Sequence, residues 1–287
     1  MFNISDLLGK TEGEAVSFLK GKGIAYTLKY NNDRKTVGET PIVTRVRFEG
    51  DVAELTISLF LTDILKKNLP THVAFIMDGN RRWAHNANVE KVKGHIKGRE
   101  TMEAIIDHSL KCGIKKLTFF AFSSENFKRD EAEIKDIFNV FFDFFSDCNA
   151  KFLPCGIKIN VIGDLCRMPD KVVSLINKVN SECPDYTKLQ VDIAISYGGQ
   201  QDIFFAAKKL DKDGTLDDFI QLLSSGKPFP DLVIRTGGER RISNFMLFQI
   251  AYSELYFTDT MWPDFSEEEF DKILFDYQSR DRRFGGK

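Results

Sequence analysis

The residues best suited to chemistry in this sequence are arginines and carboxylates that follow runs of apolar residues. The stretch "HVAFIMDGNRRW" (72–83) places Asp78 and two arginines directly after the five apolar positions 73–77. Planar guanidinium groups suit phosphate oxygens, and glycines let backbone N–H groups approach an anion. The charged residues that follow apolar runs are Arg81, Arg82, Arg129, Arg235, Arg240 and Arg241, with Asp78, Glu125, Glu239 and Glu254. The glycines that accompany them are Gly79, Gly237 and Gly238.

This combination predicts a site for Mg²⁺ and diphosphate, with pockets near 78–82 and near 235–243. Mg²⁺ prefers oxygen ligands and is often shared with substrate phosphates, so a carboxylate among arginines fits it. A helix that starts near Asn80 would direct its positive end at the same anion. Taken alone, Asp78-Gly79-Asn80 is a turn sequence and each arginine is an ordinary surface residue. Their joint placement after several strands favours a shared site.

The elements that must position these residues form a predicted α/β fold. From Leu69 onward, apolar runs alternate with helical patterns. Near-continuous apolar strands separated by helices are typical of a parallel sheet flanked by helices. Ligands of such sheets bind beyond the carboxyl ends of the strands, which is where the charged residues fall. The predicted strands are 73–77, 117–122, 157–162, 191–196, 232–235 and 254–258.

A phenylalanine-rich segment, 131–152, has the spacing of a helix. Its apolar positions are 134, 137, 138, 141, 142, 145, 148 and 152, with Val140 and Phe144 widening the stripe. One interpretation is a helix packed in the core, and the other is a helix that also walls an apolar cavity. Such a wall would suit a long hydrocarbon, because buried apolar surface contributes about 25 cal/mol per Å².

Residues 1–66 are predicted to be a separate small α+β module, with a helix at 11–20 and three antiparallel strands at 24–30, 42–48 and 53–60. Thr11 and Glu14 have the spacing of a capping box. The module resembles the small PASTA and potato-inhibitor-like modules in "LLGKTEGEA" and in the order of its strands. It shows no chemistry, and we interpret it as a stabilising or docking appendage.

Composition excludes several other classes of function. The net charge of −2 gives no support to nucleic-acid binding. The five cysteines form no Cys-x-x-Cys pair, which indicates free thiols in a reducing compartment. The N-terminus lacks a signal pattern, and no apolar run approaches the ~20 residues of a membrane span. These features predict a cytoplasmic protein.

Four stretches resemble signature regions of the cis-prenyltransferases, the undecaprenyl diphosphate synthase family. They are "HVAFIMDGNRRW" (72–83), "GH" (94–95), "TFFAFSSENFKR" (118–129) and "DLVIRTGGERRISNFMLFQIAYSELYFTDTMWPDF" (231–265). The resemblance covers about 70–287, so a second domain is predicted at 69–287. It implies a homodimer with Mg²⁺ that condenses isopentenyl diphosphate repeatedly onto an allylic diphosphate such as farnesyl diphosphate, making cis double bonds.

The resemblance also implies roles for individual residues. Asp78 matches an aspartate that orients Mg²⁺ and the diphosphates, and Glu254 matches a second carboxylate associated with Mg²⁺. Asn126, with Ser123, matches residues implicated in removing a proton from C2 of isopentenyl diphosphate. The residues that match the allylic diphosphate grip are Gly79, Asn80, Arg82, Lys91 and His95. Those that match the isopentenyl diphosphate grip are Arg235, Arg241 and Ser243.

The other predicted substrate contacts are Arg81, Trp83, Ser124, Glu125, Phe127 and Arg129. The C-terminal "RRFGGK" (282–287) resembles a tail that reaches the partner subunit's site. We also expect transient contact with a membrane surface, because the product is a lipid.

The sequence departs from the family pattern at several positions. Lys91 replaces an arginine common in bacterial members, and lysine is a point charge rather than a fork. Arg81 gives a double arginine more typical of eukaryotic and archaeal members, while Phe127 replaces a frequent tryptophan and Arg240 a frequent histidine. The segment between Asn126 and Gly163 lacks the insertion of dolichol-type members. We therefore predict a product of roughly bacterial length, or shorter because of Phe141, Phe142, Phe144 and Phe145.

Two alternatives remain open at this point. A non-catalytic subunit that supports a catalytic partner usually lacks the aspartate that Asp78 supplies here. A Mg²⁺-dependent phosphohydrolase would read "DGN" as its nucleophile strand, but such enzymes usually carry Asp-x-Asp, which is absent from this stretch.

Overall fold

The chain is described by a computed structural model at residues 7, 12–30, 40–49, 52–60, 69–184 and 186–280. It divides into two compact units, Met1–Asn68 and Leu69–Lys287. No helix in the described part of the chain combines the length and apolar character that a membrane span needs.

The N-terminal unit contains helix α1 (Glu12–Gly21) and strands β1 (Ala25–Tyr30), β2 (Thr40–Glu49) and β3 (Val52–Phe60). Its small core includes Leu7, Ala15, Leu19, Ala53 and Leu55. Thr11, the first residue of the predicted capping box, lies outside the described residues.

The prediction of three antiparallel strands in this unit is wrong. The strand order is β1-β3-β2, in which β3 pairs antiparallel with β2 but parallel with β1. Two residues separate β2 from β3, so these strands must turn back on each other. Nine residues separate β1 from β2, 31–39, which is enough chain for β1 to take the other edge of β3. Alternating hydrophobicity carries no information on strand direction.

The C-terminal unit is built on a six-stranded parallel sheet, as predicted. The strands are β4 (His72–Ile76), β5 (Lys116–Ser123), β6 (Ile157–Ile162), β7 (Leu189–Tyr197), β8 (Leu232–Arg235) and β9 (Glu254–Phe257). Their order in the sheet is β6-β7-β5-β4-β8-β9. Since β4 lies between β5 and β8 and all three are parallel, the chain segments that follow these strands meet at one edge of the sheet, the one formed by the carboxyl ends of the strands.

Helices flank this sheet and bury both of its faces. They are α2 (Asn80–Asn86), α3 (Lys91–Cys112), α4 (Glu131–Phe152), α5 (Asp170–Ser181), α6 (Gly199–Lys209), α7 (Leu216–Leu222) and α8 (Glu267–Ser279). Phe75 and Phe119 stack at 5.1 Å and contact Trp262, whereas Phe120 stacks on Phe245 at 4.6 Å. Successive strand residues thus serve opposite faces, which explains the continuous apolar runs.

Helix α3 lies close against the start of α2 because two of its residues are glycines. A Cβ atom added at Gly94 would lie 2.1 Å from the backbone oxygen of Asn80. One added at Gly98 would lie 2.6 Å from Asn80 Oδ1 and 3.0 Å from Trp262 Cδ1. The glycines therefore set the position of Asn80, which follows Asp78 by two residues.

We expect Gly94→Ala to destabilise the protein, although alanine is the better helix former. The backbone oxygen of Asn80 cannot move aside as a flexible side chain would, so the helices must separate at a cost of about 1–3 kcal/mol. Chemical denaturation measures this loss. Lys97→Ala, at an exposed position of the same helix, is the control, because surface ion pairs such as Lys97–Glu100 contribute at most ~1 kcal/mol. Equal stability of Gly94→Ala and wild type would show that the close contact carries no constraint.

Candidate functional site

The backbone of Asp78 is fixed by residues from the far end of the sequence. Its N–H donates to Ile76 O and to Thr236 Oγ1, both at 3.0 Å. The Thr236 hydroxyl donates to Asp78 O at 2.8 Å, and the backbone N–H of Trp262 donates to the same oxygen at 3.0 Å. The chain can leave β4 in this direction because Gly79 has a φ of 114°, where a side chain would be strained. Helix α2 then begins at Asn80, as predicted.

The carboxylate of Asp78 joins two arginines, one from each predicted phosphate pocket. Its Oδ2 lies 2.9 Å from Arg235 Nη2, and its Oδ1 lies 3.1 Å from Arg82 Nη2. The Arg235 side chain is 5% exposed and also donates to Ser243 Oγ at 2.7 Å and to Arg241 O. We call Asp78, Arg82, Arg235 and Ser243 the Asp78 cluster. Its carboxylate remains 31% exposed and can reach a ligand.

The expected role of Gly237 and Gly238 as anion-binding N–H donors is wrong. The N–H of Gly237 donates to Thr260 O and that of Gly238 donates to Thr258 O, both at 2.8 Å. These bonds hold the loop after β8 against the segment after β9. Gly237 is needed for close approach instead, because a Cβ there would lie 2.9 Å from the backbone oxygen of Asp78.

A second charged group surrounds Glu133, a residue in the first turn of α4. Its carboxylate lies 3.2 Å from Arg129 Nη1, 3.4 Å from Arg81 Nε and 3.6 Å from Lys91 Nζ, while the side chain is only 4% exposed. His95 Nε2 lies 3.8 Å from the same carboxylate. We call Glu133, Arg81, Lys91, His95 and Arg129 the Glu133 cluster. It brings together four predicted substrate contacts around an acid.

Sequence reasoning missed Glu133, because an acid in the first turn of a helix is ordinary. The available signal was its place four residues after Arg129 and its helical spacing with the apolar residues Ile137 and Val140.

Burial and neighbouring charges determine whether His95, in the Glu133 cluster, is charged. Burial, aided by the nearby Arg129, lowers the pKa of His95 to about 4 against the opposing effect of Glu133. His95 is therefore a neutral imidazole at neutral pH. Arg129 also interacts electrostatically with Asp78, so the two clusters share one electrostatic environment.

The segment after β5 forms a 3₁₀ turn, Ser124–Lys128, in which several predicted residues have structural partners. Asn126 Oδ1 accepts from the Ser123 N–H at 3.1 Å, and Glu125 Oε1 accepts from Asn244 Nδ2 at 3.1 Å. Burial opposes ionisation of Glu125, but its hydrogen bonds outweigh that effect and lower its pKa. Phe127 packs edge-on against Phe122 at 5.0 Å.

Two predicted contacts, Trp83 and Arg241, also have protein partners. The Trp83 indole N–H donates to Asp264 Oδ1 at 2.7 Å. Arg241 is exposed and pairs with Glu239. Trp83 stays near the Asp78 cluster because it follows Arg82 in the chain. Arg241 stays near the same cluster because its backbone oxygen accepts a hydrogen bond from Arg235.

Several buried polar atoms of the site are left without a partner. Among the residues that the structure describes, Asn80 Oδ1, His95 Nε2, Ser124 Oγ and Arg235 Nε are buried and have no hydrogen-bond partner. An unpartnered buried polar atom costs about 1–3 kcal/mol. Their concentration at this edge of the sheet indicates a polar ligand.

An apolar cleft opens directly from this polar edge. It holds about 530 Å³ of space, with open solvent at its mouth included, and Asn80 and His95 belong to its lining. Its wall includes Ile137, Val140, Phe141, Phe144 and Phe145 of α4. The cavity-wall interpretation of the phenylalanine-rich helix is therefore confirmed. The same helix also packs in the core, where Phe138 and Phe152 are buried.

Within one chain, Glu254 does not lie beside Asp78. Glu254 begins β9 and is level with Leu232 and Val73, whereas Asp78 follows the carboxyl end of β4. From Val73 to Asp78 is about 16 Å along the strands at ~3.3 Å per residue. Glu254 instead pairs with Arg280 at 2.8 Å.

The residues of the Asp78 cluster fit Mg²⁺. Mg²⁺ commonly takes one or two carboxylates and completes its shell with water and substrate phosphates. Asp78 offers a partly exposed carboxylate, and the unpartnered Nε of its partner Arg235 is suited to a phosphate oxygen. The tail 282–287 lies outside the described residues.

Comparison with known proteins agrees with this geometry. A prenyltransferase family model, described as "Putative undecaprenyl diphosphate synthase", matches residues 76–285. An isoprenyl transferase of Aquifex aeolicus is 45% identical over 225 residues, covering 76% of this chain and 96% of that protein. A tritrans,polycis-undecaprenyl-diphosphate synthase (geranylgeranyl-diphosphate specific) of Picrophilus torridus is 39% identical over 248 residues, covering 82% and 97%.

Among solved structures, lavandulyl diphosphate synthase from Lavandula x intermedia, in complex with dimethylallyl diphosphate, has a TM-score of 0.71 and 33% identity. The match covers 78% of this chain and 100% of the lavandulyl diphosphate synthase chain. The shared region is the C-terminal unit with its parallel sheet.

Proposed function

The chain belongs to the undecaprenyl diphosphate synthase family of prenyltransferases, and we propose that it condenses isopentenyl diphosphate onto an allylic diphosphate, with Mg²⁺, to build a polyprenyl diphosphate. One observation carries this proposal: Asn80 and His95 belong both to the charged edge and to the apolar cleft. A molecule with a diphosphate head and a hydrocarbon tail fits such a site from end to end. The predicted starter is farnesyl diphosphate, and geranylgeranyl diphosphate is the alternative suggested by the name of the Picrophilus torridus relative.

The arrangement of the two clusters supports two diphosphate positions. The allylic diphosphate would bind beside Arg81, Arg82, Lys91 and His95, because the cleft for its hydrocarbon begins there. Isopentenyl diphosphate would bind at the other side of Asp78, at Arg235, Ser243 and Arg241. Asp78 contacts one arginine of each position, so it would fix their separation.

The proposed reaction breaks the C1–O bond of the allylic diphosphate and forms a bond from that C1 to C4 of isopentenyl diphosphate. The guanidinium groups of Arg81 and Arg82 would stabilise the negative charge that develops on the departing diphosphate. Two adjacent binding positions hold the reacting carbons in the required geometry. When bound by Asp78, Mg²⁺ would add further neutralisation of diphosphate charge.

The reaction ends with loss of a proton from C2 of the isopentenyl unit, beside Ser123 and Asn126. The amide oxygen of Asn126 already accepts from the Ser123 N–H, and an amide is a poor base. Asn126 would therefore orient the substrate through Nδ2, and a diphosphate oxygen would receive the proton. We propose Ser124, Glu125, Phe127 and Arg129 as neighbours that shape this part of the site.

We expect Phe141→Ala to lengthen the product by whole isoprene units. Phe141 lines the cleft, so removing its ring would extend the space open to the growing chain. Reverse-phase chromatography of the dephosphorylated products measures chain length. Phe142→Ala is the control, because Phe142 lies outside the cleft lining and packs under Lys171, whose Nζ is 5.0 Å from the ring. Unchanged products in Phe141→Ala would mean that the chain does not run along α4.

The test of the proposed function is incubation of the full chain with labelled isopentenyl diphosphate, Mg²⁺ and either farnesyl or geranylgeranyl diphosphate. The proposal expects chain elongation that EDTA abolishes. Release of free phosphate without elongation would instead identify a phosphohydrolase, and inactivity would identify a non-catalytic partner subunit.

We also propose that the enzyme is a cytoplasmic homodimer that touches membrane surfaces transiently to release product. Sedimentation velocity and flotation with liposomes test these two points.

For residues 1–66 we propose a stabilising or docking role, so a chain that begins at Leu69 should retain turnover.

A further inference from the structure

A second group of potential ligands lies between helices α3 and α8. His108 and Cys112 are one helical turn apart on α3, and Glu267 and Asp271 are one turn apart on α8. Such pairs share one helix face, so both faces meet at the helix contact. His108 Nε2 lies 2.6 Å from Asp271 Oδ1, and His108 Nδ1 lies 3.2 Å from Glu267 Oε2. Among the described residues, none of these four belongs to the Asp78 cluster or to the Glu133 cluster.

The spacing of these groups suits a small tetrahedral ion. One imidazole nitrogen, the Cys112 sulfur and one Asp271 oxygen all lie within 4.8 Å of one another. With metal–ligand distances of ~2.0–2.3 Å, neighbouring ligands of a tetrahedral ion are about 3–4 Å apart. Small side-chain adjustments therefore suffice to close the three atoms around an ion.

We propose that His108, Cys112 and Asp271 bind a single Zn²⁺ ion that links α3 to α8. A thiolate and an imidazole favour Zn²⁺ over Mg²⁺, so this site differs chemically from the Asp78 cluster. If Nε2 binds the ion together with Asp271, Nδ1 remains free to donate to Glu267. A carboxylate on the outer nitrogen is the usual way in which a zinc-bound histidine is oriented.

The charges around His108 suit a cation, because the carboxylates of Glu267 and Asp271 both contact the imidazole. The side chains of His108 and Asp271 are 14% and 16% exposed, so an ion can enter from solvent. The ordinary alternative is a simple ion pair between the helices, which would need no cysteine.

The test uses Co²⁺ as a spectroscopic probe of the full, metal-stripped chain. We expect one Co²⁺ per chain with a thiolate-to-cobalt charge-transfer band, displaced by Zn²⁺. Cys112→Ser should abolish the band, and Cys155→Ser, which changes an exposed thiol elsewhere, should keep it. Glu267→Gln should weaken Zn²⁺ affinity by ~10–100-fold, as loss of an orienting partner does.

Two further measurements separate this site from others and from misfolding. Asp78→Asn should keep the cobalt band, because the diphosphate site offers no thiolate. Zn²⁺ should raise the melting temperature of the wild type by linkage and leave that of Cys112→Ser unchanged, provided both show the same circular dichroism. A wild type without the band, or a Cys112→Ser variant that retains it, would overturn the proposal.

Discussion

Replacing Asp78 with alanine is expected to lower the turnover number by ~10³-fold, about 4 kcal/mol of transition-state stabilisation. The carboxylate contacts Arg82 and Arg235, one arginine from each proposed diphosphate position, and it is the carboxylate of the Asp78 cluster. Its loss removes the proposed Mg²⁺ ligand and the group that separates the two arginines. Steady-state turnover with isopentenyl and farnesyl diphosphates measures the effect.

Asp78→Asn is the matched control for this experiment. It keeps the shape of the side chain and the backbone bonds to Thr236 and Trp262, so the fold should remain intact while the charge is lost. Removing one partner of a fully buried ion pair costs ~3–5 kcal/mol, but Asp78 is 31% exposed and water offsets part of that cost. Denaturation curves separate a loss of stability from a loss of catalysis. Near-normal turnover in either variant would show that this carboxylate has no catalytic role.

Replacing Arg235 with alanine is expected to raise the KM for isopentenyl diphosphate by ~10–100-fold, the equivalent of one charge-assisted hydrogen bond of ~1.5–3 kcal/mol. The side chain is almost fully buried, and its Nε lacks a partner that a phosphate oxygen would supply. The KM for the allylic diphosphate should change much less.

Arg235→Lys distinguishes charge from geometry at this position. Lysine keeps the positive charge but cannot donate to Asp78 and Ser243 from one planar group, so we expect an intermediate KM. An effect confined to the allylic substrate would mean that the two diphosphate positions are exchanged.

Much of the fold could be predicted because the strands of a parallel sheet are continuous apolar runs. The strands that deliver Asp78 and Arg235 were found this way, and the rule that ligands bind beyond the carboxyl ends of strands brings both residues to one edge. The strand pairing of the N-terminal unit could not be predicted, because alternation does not encode direction.

The details of the site depend on tertiary contacts that periodicity does not reveal. The N–H groups of Gly237 and Gly238 are taken by Thr260 and Thr258, which only the folded chain brings near. Glu133 becomes informative only once four cationic or imidazole side chains surround it.

The bond between Asp78 and Arg235 joins residues 157 positions apart in the chain. On the ribosome, Asp78 therefore emerges long before the arginine and threonine that hold it, and β4 must wait for β8 as its neighbour. Contacts of such long range form slowly, because the intervening chain must first be closed into a loop. A nascent or prematurely terminated chain that lacks the last third of the sequence would keep the proposed allylic diphosphate position but lack the proposed isopentenyl diphosphate position. The proposed activity is thus expected only of chains that extend beyond β8.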